Sequence, residues 1–121
     1  MLTAYQLEER IRELQVQASE NHRKANEEEQ KVYARRKVIY ELERATHESR
    51  ARAGNLMSKR LLESPGKFDT VVDNRASADP IWRGHVANNQ FFARKADMDN
   101  IQLQSLYFQR ERLLNGSEGT N

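Results

Sequence analysis

The sequence predicts an all-α protein. A long N-terminal helix, with one break point near Gly54, is followed by a shorter C-terminal helix. The pair is expected as a helical hairpin or coiled-coil-like bundle, and as an oligomer. Three observations carry this. Residues 3 to 63 are rich in Glu, Arg, Lys, Gln, Ala and Leu and contain no proline. Apolar residues recur along that stretch at heptad spacing. Only 37% of the 121 residues are hydrophobic while 31% are charged, which suits narrow seams or a core completed by a partner better than a thick globular interior.

Four segments follow: a long charged helix over 1–63, a linker over 64–79, a second helix over 80–115 and a flexible tail over 116–121. Thr3 is expected as the N-cap of the first helix, with Gln6 three residues on completing a capping box. One heptad seam runs through Leu7, Leu14, Asn21, Glu28, Arg35, Leu42, Ser49 and Leu56. Its companion runs through Ile11, Ala18, Ala25, Val32, Ile39, Thr46, Ala53 and Arg60. The middle of both is polar. Gly54-Asn55 is the one break, and a short helix from about 56 to 63 follows it.

In the linker, Ser64-Pro65-Gly66 reads as the stop of the first helix, because proline has no amide proton to continue the ladder. Phe68, Val71 and Val72 are expected to pack down as a short extended strip. Asp79 then reads as N-cap and Pro80 as first residue of the second helix. That helix is expected to end near Leu114, with Gly116 as its stop. Its apolar residues fall into a first group (Ile81, Trp82, Val86, Phe91, Phe92) and a second (Ile101, Leu103, Leu106, Tyr107, Phe108, Leu113, Leu114). The second is too wide for a single seam and should face more than one neighbour. The candidate partner-binding residues are Trp82, Phe91, Phe92, Ile101, Leu106 and Phe108. Trp82 is also expected to anchor the packing beside Phe68, Val71 and Val72, with Gly84 leaving room for the contact.

Charge is unevenly spread. Residues 1–30 hold seven acids and four bases, a net of −3, whereas residues 31–60 hold nine bases and three acids, a net of +6. A parallel self-pair would stack like on like. An antiparallel self-pair of the first helix would set acidic half against basic half, and many small repulsions avoided can choose an orientation.

The residue patterns argue against catalysis. There is no cysteine for a disulfide or thiolate site. No His-Glu-x-x-His or Glu-x-x-His motif occurs, and Gly66-Lys67 lacks the rest of a phosphate loop. Glu43 and His47, four apart on one face, read as a surface ion pair rather than a metal site. The expectation is therefore no enzyme, no cofactor and no metal. No apolar run approaches the roughly 18 residues of a membrane span, and the first residues lack a signal-peptide pattern, so a cytoplasmic or particle-associated location is expected. The leading reading is a non-catalytic helical interaction or assembly protein, an adaptor or small structural component of a larger complex such as a phage particle. A second reading is a basic helix that binds nucleic acid weakly through Arg35, Arg36, Lys37, Arg50 and Arg52.

One short motif points elsewhere. Trp82-Arg83-Gly84 at the mouth of a helix, after a turn, resembles the Trp-x-Gly signature of the WXG100 family of small helical-hairpin secretion substrates. Tyr107-Phe-Gln-Arg-Glu111 is similar to that family's Tyr-x-x-x-Asp/Glu export pattern. The resemblance implies a secreted helical hairpin. The chain departs from the family in its longer first helix, its long linker, and a Tyr motif that follows the Trp on the same helix.

Overall fold

The computed structural model describes residues 2–119, with side chains described through residue 116. Four helices follow in order: α1 (Ala4–Arg52), α2 (Leu56–Leu62), α3 (Pro65–Ala78) and α4 (Pro80–Gly119). Of the described residues 93% are helical and none lies in a strand.

Local signals account for the helix ends. The capping box forms at the start of α1: the Thr3 amide donates to Gln6 Oε1 (3.0 Å) and the Gln6 amide to Thr3 Oγ1 (3.1 Å). α1 ends at the expected break. Gly54 adopts φ 96°, and its amide donates to the Ala51 carbonyl while that of Asn55 reaches back to the Arg50 carbonyl. This is the Schellman arrangement, and it needs a left-handed residue that glycine adopts without a Cβ clash. Asn55 at once caps α2, accepting at Oδ1 from the Ser58 amide (3.0 Å).

The expected linker over 64–79 is instead mostly helix. α3 fills Pro65–Ala78, and the expected extended strip of Phe68, Val71 and Val72 is two of its turns. The proline read as a stop is also the preferred first residue of a new helix, since its missing N–H would have had no partner there. Phe68, Val72 and Ala76 recur every four residues and are all buried, a helical period rather than the alternation of a strand. Asp79 closes α3 and opens α4: its Oδ2 accepts from the Trp82 amide (2.9 Å), and Pro80 follows as first helical residue. At the far end α4 passes through Gly116 to Gly119, so this glycine does not stop the helix, and residues 120 and 121 of the expected flexible tail lie outside the described residues. One glycine in a long ladder costs only about 1 kcal/mol.

The helices divide into two compact units. The first comprises residues up to Asn26 and from Asn89 onward. In it, the start of α1 packs antiparallel against α4, burying Leu7, Ile11, Leu14 and Ala18 with Leu103 and Leu106 while Tyr107 lies against them. The buried side of α4 runs through Ala96, Asp99, Leu103 and Leu106, alternating steps of three and four residues, the pattern of a heptad seam. A polar layer interrupts the apolar one. Asn21 Nδ2 donates to Asp99 Oδ2 (2.8 Å) and Gln17 Nε2 to Asp99 Oδ1 (2.9 Å), so the buried carboxyl group is satisfied from two turns of α1. Asn89 Nδ2 adds a bond to the Ala25 carbonyl (2.8 Å).

The seam of α1 in this unit is thus occupied by α4 of the same chain. The N-terminal part of the seam expected to pair between copies is therefore buried within one chain.

The second unit comprises residues 27–88. Ile39 of α1 and Phe68, Val72 and Ala76 of α3 form its core, with Tyr40, Leu61, Leu62 and Trp82 packed against them. The Tyr40 and Phe68 rings meet edge to face at 5.1 Å. Beyond Ile39 the α1 heptads no longer bury their residues: Leu42, Thr46 and Ala53 are exposed, and Leu56 of α2 is exposed too.

Candidate functional site

The six candidate partner-binding residues separate once α4 is folded. Leu106 belongs to the core of the first unit. Trp82 packs on the core of the second beside Phe68 and Val72, as an anchor would. Phe92 is half-buried, with Lys24 Nζ over its ring at 5.4 Å. Phe91, Ile101 and Phe108 remain at the surface, and they share it with Met98, which lies between the two apolar groups expected along the second helix. Their exposures are 54% for Phe91, 58% for Met98, 60% for Ile101 and 61% for Phe108.

These four residues lie on one line. Offsets of seven, three and seven residues return to nearly the same side of an α-helix. Ala96, Asp99, Leu103 and Leu106 lie on the other side, against α1. The two-group apolar pattern of α4 therefore resolves into an inner seam and an outer stripe. Arg94 and Ser105 fall within the stripe, and cations shield its ends: Lys95 Nζ lies 5.0 Å from the Phe91 ring centroid and the Arg112 guanidinium 5.9 Å from that of Phe108. Met98 supplies an adaptable thioether in the middle.

The basic stretch is partly neutralised where it was expected to bind phosphate. Arg35 makes a two-pronged bond to Asp79, Nε to Oδ2 at 2.9 Å and its terminal nitrogen to Oδ1 at 3.0 Å. Arg36 donates to Asp73 at 2.9 Å. Lys37, Arg50 and Arg52 are exposed. The Arg35 hydrogen bonds, then the Trp82 amide, hold the Asp79 carboxyl at a pKa of about 2, below its ordinary 3.8. The acids that answer α1 thus come from α3 and the start of α4, a pairing visible only once the supposed linker is a helix.

Three further polar clusters tie elements together. Glu43 accepts from Arg75 (3.0 Å) and lies 3.5 Å from His47, whose Nδ1 meets Ser58 Oγ at 2.9 Å, so the Glu43–His47 pair joins a network linking α1, α2 and α3. His85 Nδ1 lies 2.6 Å from Glu28 Oε2, and this bond, with Lys31 nearby, lowers the Glu28 pKa. In the first unit Gln15 Nε2 donates to the Tyr107 hydroxyl at 2.8 Å, placing the tyrosine of the export-like motif against α1.

Trp82-Arg83-Gly84 lies at the start of α4, as the Asp79 cap and Pro80 imply. A Cβ at Gly84 would meet nothing within 4 Å, so this glycine does not make room for the tryptophan as expected. No family model, curated protein or solved structure matches the chain. No helix among the described residues is long and apolar enough to cross a membrane.

Proposed function

We propose that this chain is a non-catalytic helical interaction protein, an adaptor or small structural component of a larger assembly in the cytoplasm or on a particle such as a phage, and that it binds through the outer face of α4. The observation supporting this is the line of Phe91, Met98, Ile101 and Phe108, each more than half exposed although the chain is poor in large apolar groups. Scattered exposed apolar residues are ordinary on any surface. A contiguous stripe rimmed by polar groups is the usual mark of an interface, because leaving it wet forgoes the gain from its burial.

The test is co-expression with the proteins encoded beside it, followed by measurement of complex mass. The double variant Phe91→Glu/Ile101→Glu should lose the complex while its helical signal and melting temperature stay within the wild-type range. A complex that survives these substitutions would place the binding surface elsewhere.

A further inference from the structure

We infer that the occupant of the α4 outer stripe is a second copy of this chain, paired antiparallel about a two-fold axis at the level of Asp99 and Asn100. This rests on the reading of the stripe as an interaction surface and names what covers it.

The argument comes from spacing. Phe91, Met98 and Ser105 form one heptad series on the outer face, and Arg94, Ile101 and Phe108 the other, the alternation of a coiled-coil seam. An antiparallel pair of helices packs one series against the other. A two-fold interface further demands that if residue i meets j, then j meets i. The stripe satisfies both conditions in one register. Phe91 and Phe108 are equally distant from the level between Asp99 and Asn100, as are Met98 and Ile101, and so are Arg94 and Ser105. Each aromatic residue then meets an aromatic, the two aliphatic residues Met98 and Ile101 meet at the centre, and the one cation in the seam meets a hydroxyl it can donate to. Any two interleaved heptad series share this spacing; what favours a self-pair is that the residue types match across the axis, aromatic with aromatic and aliphatic with aliphatic.

Charge selects the same orientation. A parallel pair would set Arg94 on Arg94 within the seam, a like-charge contact with nothing to offset it. In the antiparallel register Lys95 flanks Gln102, Asp97 flanks Gln104 and Glu111 flanks Gln90, so no like charges oppose each other. The inner seam of α4 stays engaged with α1 of its own chain, and pairing requires no refolding.

The test uses the full chain in sedimentation equilibrium. Wild type should dimerise with a dissociation constant on the order of 10–100 µM, as suits a seam with few large side chains. Met98→Glu should weaken the dimer by roughly tenfold or more by placing a charge in the seam. The double variant Met98→Glu/Ile101→Lys should recover most of that loss, because position 98 of one copy faces position 101 of the other only in the antiparallel register. The absence of native cysteine allows a second readout that leaves the apolar stripe intact. Arg94→Cys chains mixed with Ser105→Cys chains should crosslink readily on oxidation, and Ser105→Cys chains alone should not. A monomer at every concentration, a double variant that stays dissociated, or efficient crosslinking of Ser105→Cys with itself would each overturn the proposal. If the chain is monomeric but Phe91→Glu/Ile101→Glu still abolishes a complex with a neighbouring gene product, self-pairing fails while the interaction reading stands.

Discussion

The two units solve the same shortage of apolar residues in opposite ways. The first buries a single seam between two helix segments and leaves the far side of α4 lined with large apolar groups. The second gathers α1, α2, α3 and the start of α4 around Phe68 and Val72, and laces the edges with the Arg35–Asp79, Arg36–Asp73 and Arg75–Glu43 pairs. It also exposes large apolar residues, but they are divided among three helices: Tyr33, Val38 and Leu42 on α1, Leu56 and Met57 on α2, and Ile81 on α4. A two-helix seam uses one face of each helix, so the remaining face is free to become an interface. A cluster of several short helices spends its faces on itself.

Substitutions can break or sharpen this contrast. The largest effects belong to the cores. Phe68→Ala should cost about 3–5 kcal/mol and Leu14→Ala about 2–5 kcal/mol, read by denaturant unfolding, since both side chains are nearly fully buried. A cost under about 1 kcal/mol for Phe68→Ala would mean that α3 is not what organises the second unit.

Trp82 comes next. It is half-buried, so Trp82→Ala should cost somewhat less than the about 3–5 kcal/mol of a fully buried tryptophan. Its fluorescence in the native chain should lie to the blue of free tryptophan. Emission matching solvent would contradict its packing on Phe68 and Val72.

In the first unit, Asp99→Ala strands the Asn21 and Gln17 amides and should cost about 1–3 kcal/mol. Replacing Asn21 and Asp99 together by leucine should recover much of this, because the buried Asn21 amide goes with its partner and Gln17, on an exposed residue, can turn its amide to water. If the double variant were no better than the single one, the layer would be doing more than aligning α1 with α4.

A smaller effect follows pH. The Asp79 carboxyl titrates lower in the folded chain than in the unfolded one, so its contribution is complete above the ordinary value of 3.8 and is lost as pH falls towards about 2. Asp79→Asn should remove that part of the acid sensitivity while leaving the neutral-pH fold helical. Unchanged acid unfolding in the variant would count against the Arg35–Asp79 link as its source. The smallest effect, within about 0.5 kcal/mol, is expected for Phe91→Glu in the isolated chain at dilute concentration, because a side chain already exposed has little packing to lose.

Much of this organisation was legible in the residues. Thr3 and Gln6, Gly54 and Asn55, and Asp79 and Pro80 announced helix ends because caps act within a turn of the backbone they satisfy. Leu7, Ile11, Leu14 and Ala18 announced a seam because helical period is local. Ser64-Pro65-Gly66 was ambiguous for the same reason: a proline ends one helix and begins the next with equal ease, and only the four-residue recurrence of Phe68, Val72 and Ala76 distinguishes the two.

What the sequence by itself determined, then, is most of the capped helix starts, the break at Gly54, and which residues repeat. The tertiary structure decided which repeat meets which. Two heptad series run along α4, and nothing within that helix says which faces inward. Docking against α1 settles it: Asn21 and Gln17 reach Asp99, so a polar residue is buried and Phe91, Met98, Ile101 and Phe108 are left outside. Arg35 and Arg36 likewise read as a basic patch until Asp79 and Asp73 arrive beside them from residues some forty positions away. Capping and periodicity are short-range and act before the chain has folded back on itself. The choice of partner for a face is a competition among distant segments, and it exists only once they have met.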